Sequence, residues 1–196
     1  MAVYSIEGCQ YDCYPNTFVL INKLGITDQD ELESLEKQIT LLRGTQAEKE
    51  TEFRNVDFEF YKSLHRTLFS DLYDWAGTLR TINISKKGTI FCEHTELDHI
   101  GRLKFERLKK QDFFRNMPDG DFLNEITDLY HELNMLHPFR EGNGRTLRLF
   151  ITLLVRNTGR DIDFTICDND VLTIATIRAA QGDISLLGTV FKDIII

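Results

Sequence analysis

The sequence is poor in residues that break helices and in features that mark an exported or membrane-spanning chain. Only 3 of its 196 residues are proline, so little interrupts helical periodicity. No apolar run reaches about 18 residues, which excludes a membrane-spanning helix; the closing "DIII" is far too short. The opening "MAVYSIEGCQYDCYP" carries acidic residues and lacks a basic stretch followed by an apolar run, so it does not read as a signal peptide. Cysteine is scarce: Cys9, Cys13, Cys92 and Cys167 form no C-x-x-C pair and no His/Cys zinc pattern. They read as reduced thiols of a cytoplasmic protein. Positive charge is also in deficit, with 23 Lys+Arg against 31 Asp+Glu and a formal net charge of -8. That argues against direct nucleic-acid binding, although a local basic patch is compatible with it. Internal repeats and low-complexity linkers are missing.

What is present is ordinary for a folded protein: 42% hydrophobic and 28% charged residues, in a length that suits one domain spanning residues 1–196. From Asp28, "DQDELESLEKQITLL" places Leu32, Leu35, Ile39 and Leu42 on one helical face, with Asp28 and Glu31 as a capping pair. "DFEFYKSLHRTLFSDLYDWAG" continues as helix through Phe60, Leu64, Leu68 and Leu72 towards a stop at Gly77. The period then changes. Alternation around Ile82 and Ile84, a turn at "KKG" and resumption at Ile90 predict a short β-hairpin. A helix after Thr95 buries Ile100, Leu103 and Leu108, and another from Asp119 or Asp121 carries Phe122, Ile126, Leu129, Leu133 and Leu136 up to His137. "RTLRLFITLLVRNTG" is helical to Gly159, followed by helices in "DNDVLTIATIRAAQ" and "ISLLGTVFKD". The expected fold is all-α, a helical bundle with a small hairpin.

The chemistry concentrates in "HPFREGNGRTLRLF", His137 to Phe150. Pro138 disfavours helix at His137, so "FREGNG" is a tight turn between two helices. Its glycines let the main chain approach a ligand closely. Asn143 suits the N-cap of the next helix, and the amides of Gly142, Asn143 and Gly144 can converge on an anion. Arg145 and Arg148 lie three apart on one face of that helix, which suits a polyphosphate. A carboxylate at Glu141 among phosphates makes sense if a cation such as Mg²⁺ lies between them, and His137 can deprotonate an attacking hydroxyl. Taken singly, each of these also fits a structural role; their conjunction is what points to a nucleotide site.

"HPFREGNGRTLR" resembles the signature of the Fic-domain family at each defining position, and "LFSDLYDWAGTLR" and "YPNTFVLINKLGI" resemble other stretches of Fic proteins, so the likeness spans nearly the whole chain. It implies a Fic fold whose hairpin is a target-docking flap, here Ser85, Lys86, Lys87, Gly88, Thr89, Ile90 and Phe91. The implied activity is transfer of AMP from ATP to a protein hydroxyl with release of pyrophosphate. His137 would be the base, Phe139 the core anchor and Glu141 the Mg²⁺ ligand. Gly142, Asn143 and Gly144 would form the phosphate cradle, with Asn143 near the α-phosphate. Arg145 would contact the β- and γ-phosphates, and Arg148 the γ-phosphate. Doc-type kinases carry lysine where this chain has Gly144, so Gly144 favours adenylylation.

Many Fic proteins are restrained by a [S/T]-x-x-x-E-[G/N] helix whose glutamate pairs with the second motif arginine. Glu precedes Gly or Asn only at Glu7-Gly8 and Glu141-Gly142, and Val3 and His137 stand four residues earlier, so the pattern is absent. The resemblance is thus to the stand-alone toxin (FicT-like) class, in which a separate small antitoxin would supply a glutamate to Arg148. Type II topoisomerase subunits are the targets it suggests. A zinc hydrolase is rejected, because His131 and His137 are six apart and lie on different helical faces. A nucleotide-binding module without transfer is the remaining alternative. Adenine contacts are expected after Asp168, with Gln181 as one candidate; His65, His94 and His99 receive no role.

Overall fold

The computed structural model describes residues 12–196. Cys9, the Glu7-Gly8 pair and most of the N-terminal stretch read above lie outside the described residues. Seven α-helices follow in order: α1 (Gln29–Glu50), α2 (Phe58–Phe69), α3 (Leu97–Lys110), α4 (Asp119–Leu136), α5 (Asn143–Asn157), α6 (Asn169–Ala180) and α7 (Ser185–Ile194). Between α2 and α3 stands one antiparallel hairpin, β1 (Ser85–Lys86) and β2 (Thr89–Ile90), in the register Ser85–Ile90 and Lys86–Thr89. Among the described residues no helix is long and apolar enough to cross a membrane.

Helix α5 is the axis of the molecule. Leu147, Phe150, Ile151, Leu154 and Val155 are buried, and so are Thr146, Leu149, Thr152 and Leu153. Burial on nearly every side is what a helix at the centre of a bundle requires. Helices α1, α2 and α4 pack on it, while α6 and α7 pair with each other and cover α4. Aromatic rings bind α2 to the centre: Tyr61 meets Phe58, Phe105, Phe139 and Phe150 with ring centroids 5.4–6.3 Å apart. Helix starts follow local chemistry. Asp28 accepts from the Glu31 amide at 2.9 Å, and Asp57 accepts from Phe60 at 2.8 Å.

Three sequence expectations are corrected. Helix α2 ends at Phe69 rather than near Gly77; a series of turns follows and buries Leu72 and Tyr73. The buried stripe of α1 is Leu32, Glu36, Thr40 and Ala47, leaving Leu42 exposed. Two polar residues occupy that stripe because an arginine of α5 faces them. Leu103 is exposed too, since α3 buries Leu97, Gly101, Phe105 and Leu108, and two residues beyond Gly101 is about 200° around the helix.

Gly101 sets how closely α3 approaches α2. A Cβ there would lie 2.4 Å from the Phe58 ring, itself locked in the core. Gly101→Ala is expected to destabilise the protein by about 1–3 kcal/mol through overpacking, read as a lower urea midpoint; an unchanged or higher midpoint contradicts this packing.

Candidate active site

The turn from His137 to Gly142 joins α4 to α5 and is irregular backbone buried at the centre of the protein. Its carbonyls must therefore find donors, and each donor comes from a specific group. Arg80 donates through Nε to the His137 carbonyl at 2.8 Å and through its backbone amide to Pro138 at 2.9 Å. Asn143 clamps Phe139 from both sides: Oδ1 accepts from the Phe139 amide and Nδ2 donates to its carbonyl, both at 2.8 Å. His65 Nε2 lies 2.9 Å from the Glu141 carbonyl. Gly142 accepts from the amide and hydroxyl of Thr146. Phe139 is wholly buried, stacked on His65 with centroids 3.9 Å apart.

His137 closes α4 in a left-handed conformation, φ 44°. That backbone is costly for a residue with a Cβ, and the Arg80 bonds to His137 and Pro138 help hold it. Its ring stacks on Phe91 of the hairpin, centroids 3.7 Å apart and planes 12° from parallel. Nδ1 lies 3.2 Å from the Asn134 carbonyl. A carbonyl only accepts, so Nδ1 carries the proton and Nε2 keeps its lone pair. Burial, with a further push from the nearby Lys86 ammonium, holds the imidazole neutral with a pKa of about 3.

A cavity of about 360 Å³ opens beside it, a size suited to a small molecule. His137, Gly144 and Arg148 line one side, Lys86, Lys87, Thr89 and Phe91 of the hairpin another, and Tyr130 and Asn134 of α4 a third. Asn169, Leu172, Thr173, Thr176 and Ile177 complete it from α6. Burial pushes the Tyr130 phenol up to about 12, against the opposing charge of the adjacent Arg148. Helix α5 begins here, and its first amides lack intrahelical acceptors.

The structure thus brings His137, Gly144, Arg148 and the hairpin to one cavity and sorts the other site residues differently. The Gly142 amide is taken by Glu141 Oε1 at 2.9 Å, so the anion-facing amides begin at Asn143. The Asn143 side chain does not cap α5; Gly142, at φ 81°, stands at the N-cap. Arg145 turns away from Arg148 towards α1, where Nη2 meets Glu36 at 2.5 Å and Nη1 meets Thr40 at 3.2 Å. Glu141 lies 3.8 Å from both Arg145 and Lys86. Gln181 follows the end of α6 and does not line the cavity; the α6 residues before it do.

Sequence reasoning missed three groups. His65 is fully buried; its Nδ1 accepts from Gly77, tying α2, the turn and the motif together. Arg80 also donates to Ile82 and Cys92, joining the hairpin base to the motif. Phe91 sits within the expected hairpin, but its stacking on His137 had no sequence signal. Spacing could not reveal the first two, because their partners are backbone carbonyls distant in sequence. Among the described residues no three His, Cys, Asp or Glu side chains are grouped so as to hold a metal ion.

The model of the Fic/DOC family matches residues 55–155, a span holding α2, the hairpin and the whole motif. The chain belongs to the Fic/DOC family. It is 33% identical to the protein adenylyltransferase VbhT of Bartonella schoenbuchensis over 178 residues, 91% of this chain but only 37% of VbhT. It is also 33% identical to the probable protein adenylyltransferase y4lH of Sinorhizobium fredii, over 93% of this chain and 94% of that protein. The crystal structure of BepC from Bartonella tribocorum, which holds AMPPNP, shares the fold with a TM-score of 0.92 and 24% identity, over 96% of this chain and 98% of that one.

Two buried histidines make stability depend on pH. Both have folded-state pKa values below the ordinary 6.5, about 3 for His137 and about 4 for His65, chiefly because burial disfavours their charged forms. Between those values and 6.5 the unfolded chain binds more protons than the folded one, so this stabilisation is full above about pH 6.5 and falls as pH drops. The urea midpoint is expected to decrease from about pH 7 to pH 5, while imidazole NMR signals of both residues stay in the neutral form. A His137 signal titrating near its ordinary value contradicts the burial assigned to it.

Proposed function

We propose that this chain transfers AMP from ATP to a hydroxyl side chain of a target protein. The observation that carries the reading is the meeting, at one cavity, of an unprotonated His137 Nε2, the start of α5 at Gly144, and Arg148. A neutral base beside an anion-binding helix start is the pairing that nucleotidyl transfer to a hydroxyl needs. Relatives along almost the full chain are named adenylyltransferases, and the BepC fold holds an ATP analogue.

In this reading Nε2 of His137 takes the target hydroxyl proton as that oxygen attacks the α-phosphorus. The bond from phosphorus to the bridging oxygen breaks, and pyrophosphate leaves. The Asn134 carbonyl fixes the tautomer, and Phe91 fixes the ring plane. The amides of Asn143 and Gly144 and the Arg148 guanidinium hold phosphates, while Arg145, held by Glu36 and Thr40 on the α1 side, stands outside the cavity lining. Leu172, Thr173 and Ile177 of α6 are positioned to wall the adenine. The chemistry of the donor fits Mg²⁺: Glu141 offers one hard carboxylate, which would hold the ion together with phosphate oxygens of the nucleotide. When bound, Mg²⁺ neutralises the phosphate charge that develops on the leaving group.

The hairpin presents Ile90 with 79% of its surface exposed and leaves strand edges open, which suits an extended target segment. Residues Ser85 to Phe91 are the proposed flap, and type II topoisomerase subunits are the proposed targets. The reading takes residues 1–196 as one Fic domain in the bacterial cytoplasm. An external glutamate, supplied to Arg148 by a small antitoxin, is the proposed restraint.

Incubating the protein with labelled ATP and bacterial lysate is expected to label protein with AMP. His137→Ala should reduce transfer by about 10²–10⁴-fold while nucleotide binding persists. Binding without transfer by the wild type would favour a non-catalytic module. If a partner restrains Arg148, replacing its glutamate with alanine should restore transfer, and unchanged inhibition would refute that restraint.

A further inference from the structure

A base buried as deeply as His137 must carry a charge where water gives it little help. When Nε2 takes the proton of the target hydroxyl, Nδ1 keeps its own, 3.2 Å from the Asn134 carbonyl. The ring is then an imidazolium until that proton passes to water, in a residue only 8% exposed. Burial opposes the charge, and so do the Lys86 ammonium and the Arg80 guanidinium; the Asn134 carbonyl and the Glu141 carboxylate favour it. One further group lies flat against the ring. Phe91 covers a face of the imidazole, with centroids 3.7 Å apart and planes 12° from parallel. Its backbone is pinned on both sides: the Phe91 amide donates to Ile84 at 3.3 Å across the hairpin, and the Cys92 amide donates to Met135 of α4 at 3.0 Å. The stack is therefore built into the fold and does not wait for a target.

We infer that Phe91 is a positioning residue with an electrostatic part in the reaction: its ring face stabilises the imidazolium that His137 becomes. The face of a phenyl ring is the negative part of its quadrupole, and a cation over it is attracted, more strongly where water is excluded. A neutral imidazole gains mainly dispersion from the same stack. The contact is thus stronger after proton transfer than before it, which is the condition for lowering a barrier. The inference rests on the reading of His137 as the base and goes beyond it, because the hairpin then serves the base as well as offering an edge to the target.

The test changes the quadrupole and leaves the shape nearly intact. Phe91 is replaced by phenylalanine analogues of rising ring fluorination, which withdraw charge from the face in steps. Single-turnover AMP transfer at fixed pH and saturating Mg²⁺ and ATP is expected to slow at each step, by about 3–30-fold over the series, the range of one cation–π contact. Affinity for a fluorescent non-hydrolysable ATP analogue should stay constant across it. Phe91→Leu keeps an apolar cover without an aromatic face and should slow transfer as well. Phe91→Trp should be faster than the leucine variant, since an indole presents the strongest face; this pair carries the test should the fluorinated chains not fold. A rate that ignores fluorination, or Phe91→Leu as fast as the wild type, overturns the inference and leaves the proposed activity standing. Rates that fall in parallel with nucleotide affinity also overturn it, and assign Phe91 to the shape of the cavity alone. Absence of transfer by the wild type overturns the proposed activity and this inference together.

Discussion

An irregular turn buried in the middle of a helical core is the constraint on which the rest of this structure depends. Carbonyls in such a turn have no helical partner and little water, and each one left unpaired would cost about 1–3 kcal/mol. The chain answers with side chains drawn from distant segments: His65 from α2, Arg80 from the segment before the hairpin, and Asn143 from the start of α5. Each bond also does something for the site. Arg80 helps hold His137 in a left-handed conformation, and its further bonds to Ile82 and Cys92 fix the hairpin base in the same frame. Gly142 meets the other demand, for close approach: a Cβ at that position would lie 2.3 Å from Phe69, so glycine is required by space as well as by its positive φ.

From this frame the electrostatics follow. Burial keeps His137 neutral, and the Asn134 carbonyl beside Nδ1 decides which nitrogen bears the proton. The two motif arginines, three residues apart, diverge because each meets a different neighbour. Arg148 stands beside Tyr130 at the cavity, whereas Arg145 is captured by the buried carboxylate of Glu36. One-face reasoning is sound for the Cα positions but does not determine where long side chains end.

Much of this was legible in the sequence, and the exceptions share a cause. The α4 stripe from Phe122 to Leu136, the stop at His137 before Pro138, the hairpin turn at Lys87-Gly88 and the last three helices all follow from local periodicity and turn chemistry. The motif was legible as well, because its chemistry is compressed into a dozen residues. What failed was reasoning that took apolar residues as the only occupants of buried faces. Helix α1 buries Glu36 and Thr40 to serve Arg145 and exposes Leu42 instead; α3 uses Gly101 to seat Phe58 and exposes Leu103. His65 and Arg80 were silent for a related reason. Their partners are main-chain carbonyls, and nothing in the residue types at those positions signals which buried turn they will close.

The same distinction between local and global chemistry resolves the apparent conflict between a chain of formal charge -8 and the proposed polyanionic substrate. Charges at the surface are screened over about 8 Å at physiological salt, so the net value governs solubility more than the cavity. At the cavity the balance of lining charges is reversed. Lys86, Lys87 and Arg148 line it and no Asp or Glu does; Glu36 is engaged with Arg145 and Tyr73, and Glu141 with the Gly142 amide. The unpaired amides at the start of α5 add positive potential in a region partly shielded from water, where such potentials act most strongly. An anion entering this cavity therefore meets a field set by a few pinned groups rather than by the composition of the chain.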